Sequence, residues 1–222
     1  MSFDIKNHGD KIKELTGLQI KTLYYDHNQD AGTGSKIWHS SYIFNLYSKE
    51  NYKEFEGRSI LELAAGCGSG SLPLAKYNIK HLTLTDFSPK LVGVIKENIE
   101  LNKSIINAEI TDAFQLDYGK ESSFNDLFSK TDVKYDTFIA CDPMWDDDQV
   151  KAFIKGMEIL FNKFKGSLMI LVGIHFLPYE KLDDFLEENE VRFEVRKESA
   201  MKYTKDEHYK NVVLYFIKEK DG

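Results

Sequence analysis

The chain has 222 residues, enough for one domain with a substantial buried core, and 42% hydrophobic and 13% aromatic content is ordinary for a globular protein. A formal net charge of −7 argues against a broad nucleic-acid footprint, which needs clustered Lys and Arg, and is compatible with small molecules or basic protein segments as ligands. No apolar run approaches the roughly 20 residues that cross a bilayer, so no membrane partner is expected.

Residues 1–6 lack a basic segment followed by an apolar core and do not read as a signal peptide. Cys67 and Cys141 are too few for a disulfide framework. They are expected to be reduced, packed or pocket-lining thiols of a cytoplasmic or nuclear protein.

Residues 1–50 show no strong period. They hold a possible strand over 18–25, a loop at 30–34, and an apolar run at helical spacing through Tyr42, Ile43, Leu46 and Tyr47. They are expected to form a cap or entry lid on the domain made by residues 51–222.

From Ser59 the pattern alternates. Strand candidates lie at 59–64, 81–85, 108–111, 135–141, 167–174, 191–199 and 211–218. Helical patterns begin at Ser88-Pro89, an N-cap serine before a proline, and at Val150, with a shorter one at Leu182, Phe185 and Leu186. Strand-helix alternation with continuous apolar strands predicts a mainly parallel sheet covered on both faces. The last two strands have no helix between them and can only pair antiparallel. The expected fold is therefore α/β: a Rossmann-like, doubly wound, seven-stranded mixed sheet with the last strand antiparallel.

The first strand runs into Gly66-Cys67-Gly68-Ser69-Gly70, a turn whose glycines let the backbone approach a ligand closely. A dinucleotide fingerprint would want Gly or Ala at position 71, where this chain has Ser71. Glu62, in the buried strand, needs a charged or hydrogen-bonding partner, which a ligand ammonium group or ordered backbone donors would supply.

Asp86 ends the second strand, where an acid can accept from two ribose hydroxyls, and Phe87 beside it can pack on an adenine. After the third strand come Asp112, Ala113 and Phe114, then Asp117 and Tyr118. Asp112 could accept from the adenine amino group, and Phe114 or Tyr118 could cover the ring. They could equally be loop residues and core aromatics.

The fourth strand ends in Asp142-Pro143-Met144-Trp145. An acid and an aromatic at a strand tip suit an amine: the carboxylate orients the nitrogen, and the indole receives a cation or methyl group. Asp146, Asp147 and Asp148 suit a helix N-terminus, with a secondary reading as an acidic rim that draws in basic segments. No His/Cys cluster has metal-ligand spacing, so no metal is expected. His39, beside Trp38, is the histidine best placed to reach a substrate.

Glu62 with Gly66, Gly68 and Gly70, Asp86, and Asp142 with Trp145 resemble the motifs of class I, seven-strand S-adenosylmethionine methyltransferases, and the resemblance covers nearly the whole chain from Ser59. More narrowly, 34–38 (Gly-x-x-x-Trp), 61–63, 84–86 and 98–102 resemble methyltransferase family 16, which is dominated by protein lysine methyltransferases.

The resemblance implies S-adenosyl-L-methionine as cofactor, with Trp38 lining its site and Gly66, Cys67 and Gly68 cradling its methionine end. It further implies Asp86 on the ribose and Cys141 near the sulfonium. Where the family has Asp-x-x-Tyr this chain has Trp145, and Pro143 makes the stretch partly like the motif of enzymes that methylate nucleic-acid amino groups.

The expected activity is thus N-methylation of a lysine in a basic segment of a protein, by a monomer, with Asp142 and Trp145 as the catalytic pair. The alternatives are an amino-methyltransferase acting on a base or small amine, and a non-catalytic binding protein of the same fold. A nicotinamide dehydrogenase is disfavoured by Glu62 and the terminal hairpin.

Overall fold

Leu61 and Leu63 face one side of the first strand and Ile60 the other, so the five-residue segment is buried throughout and belongs in the middle of a sheet. The computed structural model, which describes residues 8–23, 33–174 and 177–220, places it there. The strands are β1 (Ser59–Leu63), β2 (His81–Asp86), β3 (Ile110–Gln115), β4 (Thr137–Cys141), β5 (Leu168–Ile174), β6 (Phe193–Ser199) and β7 (Val212–Glu219).

They form one sheet in the order β3-β2-β1-β4-β5-β7-β6. The first five pair in parallel, and β7 is antiparallel to both β5 and β6. The expected seven-stranded mixed sheet is therefore present, and its antiparallel strand is β7. The polar stretch between β6 and β7 holds only two short 3₁₀ turns, Ala200–Lys202 and Glu207–Tyr209.

The helices are α1 (His8–Thr16), α2 (His39–Glu50), α3 (Pro89–Leu101), α4 (Glu121–Lys130), α5 (Asp147–Lys163) and α6 (Leu177–Glu188). On one face of the sheet Ile43, Phe44 and Tyr47 of α2 and Val92 and Ile95 of α3 bury against Ile60, Leu84, Ile139 and Ile170. On the other, α4, α5 and α6 bury Phe124, Phe153, Phe161 and Leu182 against Leu61, Phe138, Leu171 and Ile217. Alternate residues of the central strands feed opposite cores, which is why a strand such as β5 is apolar almost throughout.

Three local expectations differ. The strand expected over 18–25 is not a strand in its described part. Leu18 is buried, but the backbone beyond it pairs with side chains. Asn102 of the α3 cap accepts from the Gln19 N–H at 2.9 Å and donates to its carbonyl at 2.7 Å. Asn98 does the same for Lys21, at 2.8 and 3.0 Å. Two carboxamides one helical turn apart thus stand in for a neighbouring strand, satisfying the same donors and acceptors. Tyr24 and Tyr25, the loop residues 30–32, residues 1–6 and His175 lie outside the described residues.

Second, β3 begins later and runs further than 108–111, because its parallel register with β2 continues to Asp86–Gln115. It is an edge strand, where half-buried Thr111 and Asp112 and exposed Gln115 are tolerated. Third, α1 and α4 have no counterpart among the expected helices. In α1, Ile12 is the one buried aliphatic residue, too little for a period; in α4 the signal existed, as Phe124, Leu127 and Phe128.

Candidate active site

The chain folds outward from β1 in both directions, β2 and β3 to one side, β4 and β5 to the other. The crevice at the carboxyl ends of β1 and β4 is where such a sheet binds ligands. A cavity of about 260 Å³ opens there, at the small end for a small-molecule site.

Its floor is the turn after β1. Gly66 and Gly68 have φ of 59° and 81°, the left-handed region that glycine occupies without cost. Gly66 also meets the Gly-x-x-x-Trp stretch face to face, since a Cβ on it would lie 2.5 Å from the Gly34 carbonyl oxygen. A 3₁₀ helix, Leu72–Lys76, follows the turn with Pro73 near its start, rather than a long α-helix.

Glu62 is 1% exposed, and its partner is internal. One carboxylate oxygen accepts from the Ser71 N–H at 3.3 Å and from the Ser71 hydroxyl. Burial pushes its pKa up to about 8, the hydrogen bonds from Ser71 opposing. Ser71, the departure from a dinucleotide fingerprint, is thus the residue that satisfies the buried acid.

Asp86 is 3% exposed, and its two oxygens accept from Gly66 N–H at 3.0 Å and Ser88 N–H at 2.9 Å. Burial raises its pKa while those hydrogen bonds pull against the shift. Ser88 occupies the N-cap position of α3, but its side chain makes no capping bond. Each carboxylate oxygen has a second lone pair, so Asp86 can hold these backbone donors and still accept from a ligand.

At the tip of β4, Asp142 adopts φ of 51°, a left-handed conformation that Asp tolerates better than most residues. Its N–H donates to the Val172 carbonyl at 2.8 Å. Its carboxylate accepts from Ile174 N–H at 3.0 Å and from the Ser40 hydroxyl. Burial pushes its pKa up to about 6, with Ser40, Ile174 and Tyr179 opposing, so it is ionised at neutral pH. The Cys141 thiol beside it is pushed well up by burial, and Cys67 up to about 11, so both are neutral.

Of the residues singled out from sequence, Trp38, Glu62, Gly66, Asp86, Phe87, Tyr118, Cys141, Asp142 and Trp145 line this cavity. Phe87 and Trp145 are 59% and 52% exposed, large aromatics held open at its edge. Cys67, Gly68, Asp112 and Ala113 are not among the lining residues. Cys67 is buried with Ile12, Ile37 and Val94, and Gly68 faces Leu84 and Ile95. Asp112 and Ala113 lie inside β3 because that strand extends past them, and Asp112 turns back to accept from the Ala113 N–H at 2.7 Å.

Asp117 lines the cavity beside Tyr118. Of the two candidate aromatics, Tyr118 lines it, and Phe114 packs against the core under α4 and α5. The Tyr118 hydroxyl donates to the Pro143 carbonyl at 2.7 Å and lies against the Gln149 side chain, tying the β3 exit to the β4 tip.

Sequence reasoning missed Gly34, Lys36, Ser41 and Asp117 as lining residues. Glycine before the Trp38 stretch and the acid before Tyr118 were visible signals for two of them. His39 stays off the cavity, its ring 4.9 Å from that of His8 and 5.2 Å from that of Tyr209. The triplet of acids is divided: Asp146 caps α5 by accepting from the Gln149 N–H at 2.9 Å, while Asp147 pairs with Lys181.

The donor set fits S-adenosylmethionine. Three aspartates, Asp86, Asp117 and Asp142, and the buried Glu62 carboxyl line a cavity whose other walls are largely aromatic and small residues. Such a site favours a ligand with cationic groups, hydroxyls and a flat ring. Lys36 is the cation among the lining residues and can answer a ligand carboxylate.

The model of a family described as lysine methyltransferase matches residues 18–188. A calmodulin-lysine N-methyltransferase of Arabidopsis thaliana is 23% identical over 183 residues, 81% of this chain and 56% of that protein. The protein N-terminal and lysine N-methyltransferase efm7 of Neurospora crassa is 34% identical over 64 residues, 28% of this chain and 23% of that protein. The chain therefore spans about half the length of the first relative and about a quarter of the second. Among solved structures, a TehB-like SAM-dependent methyltransferase of Corynebacterium glutamicum has a TM-score of 0.53 at 14% identity, covering 80% of this chain and 87% of that one. That is a likeness of fold.

Proposed function

The chain belongs to the lysine methyltransferase family, and from that premise we propose that it is an S-adenosyl-L-methionine-dependent N-methyltransferase acting on a lysine side chain of a protein. The observation that carries this reading is that the Asp142–Trp145 tip of β4 and the Glu62, Gly66 and Asp86 group line one cavity. An amine-binding pair and a nucleoside-binding acid thereby share a single site.

Asp86 would hold the ribose, with Phe87 and Tyr118 against the adenine and Lys36 toward the carboxylate of the methionine end. When bound, the cofactor supplies a methyl group activated by its sulfonium. The acceptor lysine has an unperturbed pKa of about 10.4 and must be neutral before it can attack. Removal from water favours the neutral amine, while the ionised Asp142 beside it favours the charged form that docks first.

Asp142, ionised at neutral pH, accepts the amine's hydrogen bonds and turns its lone pair toward the methyl group. Trp145 packs over the nitrogen, a cation–π contact worth about 0.5–2 kcal/mol while the amine is charged. Orientation does most of the remaining work. Exposed Asp146, Asp147 and Asp148 follow Trp145 directly and favour the approach of a basic segment.

Incubation with methyl-labelled S-adenosylmethionine and a cell extract tests the reading. Label recovered as methyl-lysine after protein hydrolysis is the expected result. RNase-sensitive label, or label only in small amines, would move the assignment to the alternative that Pro143 suggests.

A further inference from the structure

The polar side of α2 is turned inward. Ser40, Ser41 and Asn45 are each buried, on a helix that otherwise packs by its apolar residues. Each reaches a loop of the cavity. The Asn45 carboxamide donates to the carbonyls of Ser69 at 2.9 Å and Gly70 at 3.2 Å, and the Ser69 hydroxyl donates to Ser41 Oγ at 3.1 Å. Ser40 reaches across to the β4 tip and donates its hydroxyl to Asp142 Oδ2. Buried hydroxyls and amides are costly unless paired, so this seam holds α2 to both loops at once.

We propose that Ser40 is a positioning residue for Asp142: its hydroxyl fixes the orientation of the carboxylate that faces the acceptor side of the cavity. This rests on the reading of Asp142 as the residue that receives the amine.

The geometry leaves Ser40 little else to do. Ile174 N–H holds Oδ1 from the end of β5, and the Tyr179 hydroxyl and the Ser40 N–H also bond the carboxylate. The Ser40 hydroxyl takes Oδ2 and is the strongest of the donors that oppose burial. It also stabilises the ionised form against burial.

Among the described residues, the titratable groups packed against Asp142 away from the cavity are Cys141 on β4 and Tyr179 on α6, and burial raises both well above their ordinary values. They stay neutral across the range in which Asp142 titrates. Tyr179 also seals the far side, since a Cβ on Gly173 would collide with its hydroxyl. On its open side the carboxylate shares the cavity with Glu62, Asp86 and Asp117.

Ser40→Ala and Ser40→Thr test the proposal. The Asp142 carboxyl is followed by ¹³C NMR in aspartate-labelled protein, its signal assigned by loss in Asp142→Asn. A hydrogen bond to a charged group corresponds to about one to two pH units, so Ser40→Ala should raise the Asp142 midpoint by that amount. The acid limb of methyl transfer to extract proteins should rise with it, cutting the rate near pH 7 by about two- to tenfold. S-adenosylmethionine affinity by calorimetry should stay within about twofold, because Ser40 is not among the cavity-lining residues. Ser40→Thr, which keeps the hydroxyl, should restore the midpoint.

An unmoved midpoint in folded Ser40→Ala overturns the proposal, whatever the activity. A raised midpoint in a protein that transfers no methyl group to any acceptor upholds the Ser40–Asp142 relationship and removes the functional reading instead.

Discussion

Glu62 and Ser71, at opposite ends of the glycine turn, are bonded twice: the Ser71 N–H reaches the Glu62 carboxylate at 3.3 Å, and the Ser71 hydroxyl reaches the same oxygen. The pair closes the turn into a loop and leaves an acid buried beneath it. That acid makes stability depend on pH. Its pKa is raised from 4.5 to about 8 in the folded protein, so between those values the folded state holds a proton that the unfolded state has lost. The stability contributed by Glu62 should therefore fall as pH rises through that window and level off on either side. Glu62→Gln should flatten this slope in thermal melts. Equal slopes in the two proteins would refute the assignment.

Three glycines should respond to alanine in three ways. Gly66→Ala puts a Cβ 2.5 Å from the backbone oxygen of Gly34 at φ 59°, and should cost about 2–4 kcal/mol in denaturant unfolding. Gly70→Ala puts one 2.3 Å from Glu62 Oε1, a side-chain atom held by its neighbours, and should cost about 1–3 kcal/mol. Gly93, exposed within α3, has nothing within 4 Å, and Gly93→Ala should stabilise by about 0.5–1 kcal/mol. A destabilised Gly93→Ala would count against the structure of α3.

Asn98 is buried and joins two segments. Besides Lys21, its carboxamide donates to the Cys67 carbonyl at 2.8 Å. Asn98→Ala leaves these backbone groups unpaired and should cost about 2–4 kcal/mol. Asn98→Asp keeps the acceptor for the Lys21 N–H but loses both donors, and should be no better. Hydrogen exchange at Lys21 should rise sharply in Asn98→Ala; unchanged protection there would mean that another group holds this backbone.

Asp86 and Trp145 should separate cofactor from acceptor. Asp86→Asn turns an amide N–H toward Gly66 N–H or Ser88 N–H, and should weaken S-adenosylmethionine binding at least about tenfold by calorimetry. Trp145→Ala removes an exposed side chain, so stability should change by less than about 0.5 kcal/mol. Methyl transfer at limiting acceptor should fall by about 2- to 30-fold, with cofactor affinity kept. Loss of cofactor affinity in Trp145→Ala would place the indole on the donor side instead.

The strands, their faces and the antiparallel return of β7 were legible because each is written in a local period of apolar residues or in the absence of a helix between two strands. The glycine turn and the acids ending β2 and β4 were legible because a doubly wound sheet puts ligand-facing residues at strand ends. The end of β3 was not: its register depends on β2, and the polar residues of an edge strand look like a loop. Asp112 was therefore favoured where Asp117 lines the cavity.

Ser40, Asn45, Ser71 and Asn98 carried no readable role either. A serine or asparagine has no periodic signature, and what it does depends on which buried group lies opposite. Ser40 finds Asp142 across 102 positions of chain, and Asn98 finds Lys21 across 77. The amino-acid sequence alone determined the sheet and the chemistry available at its carboxyl edge. Which acid is held, by which donor, and so how readily it ionises, was decided only when folding brought distant polar groups together away from water.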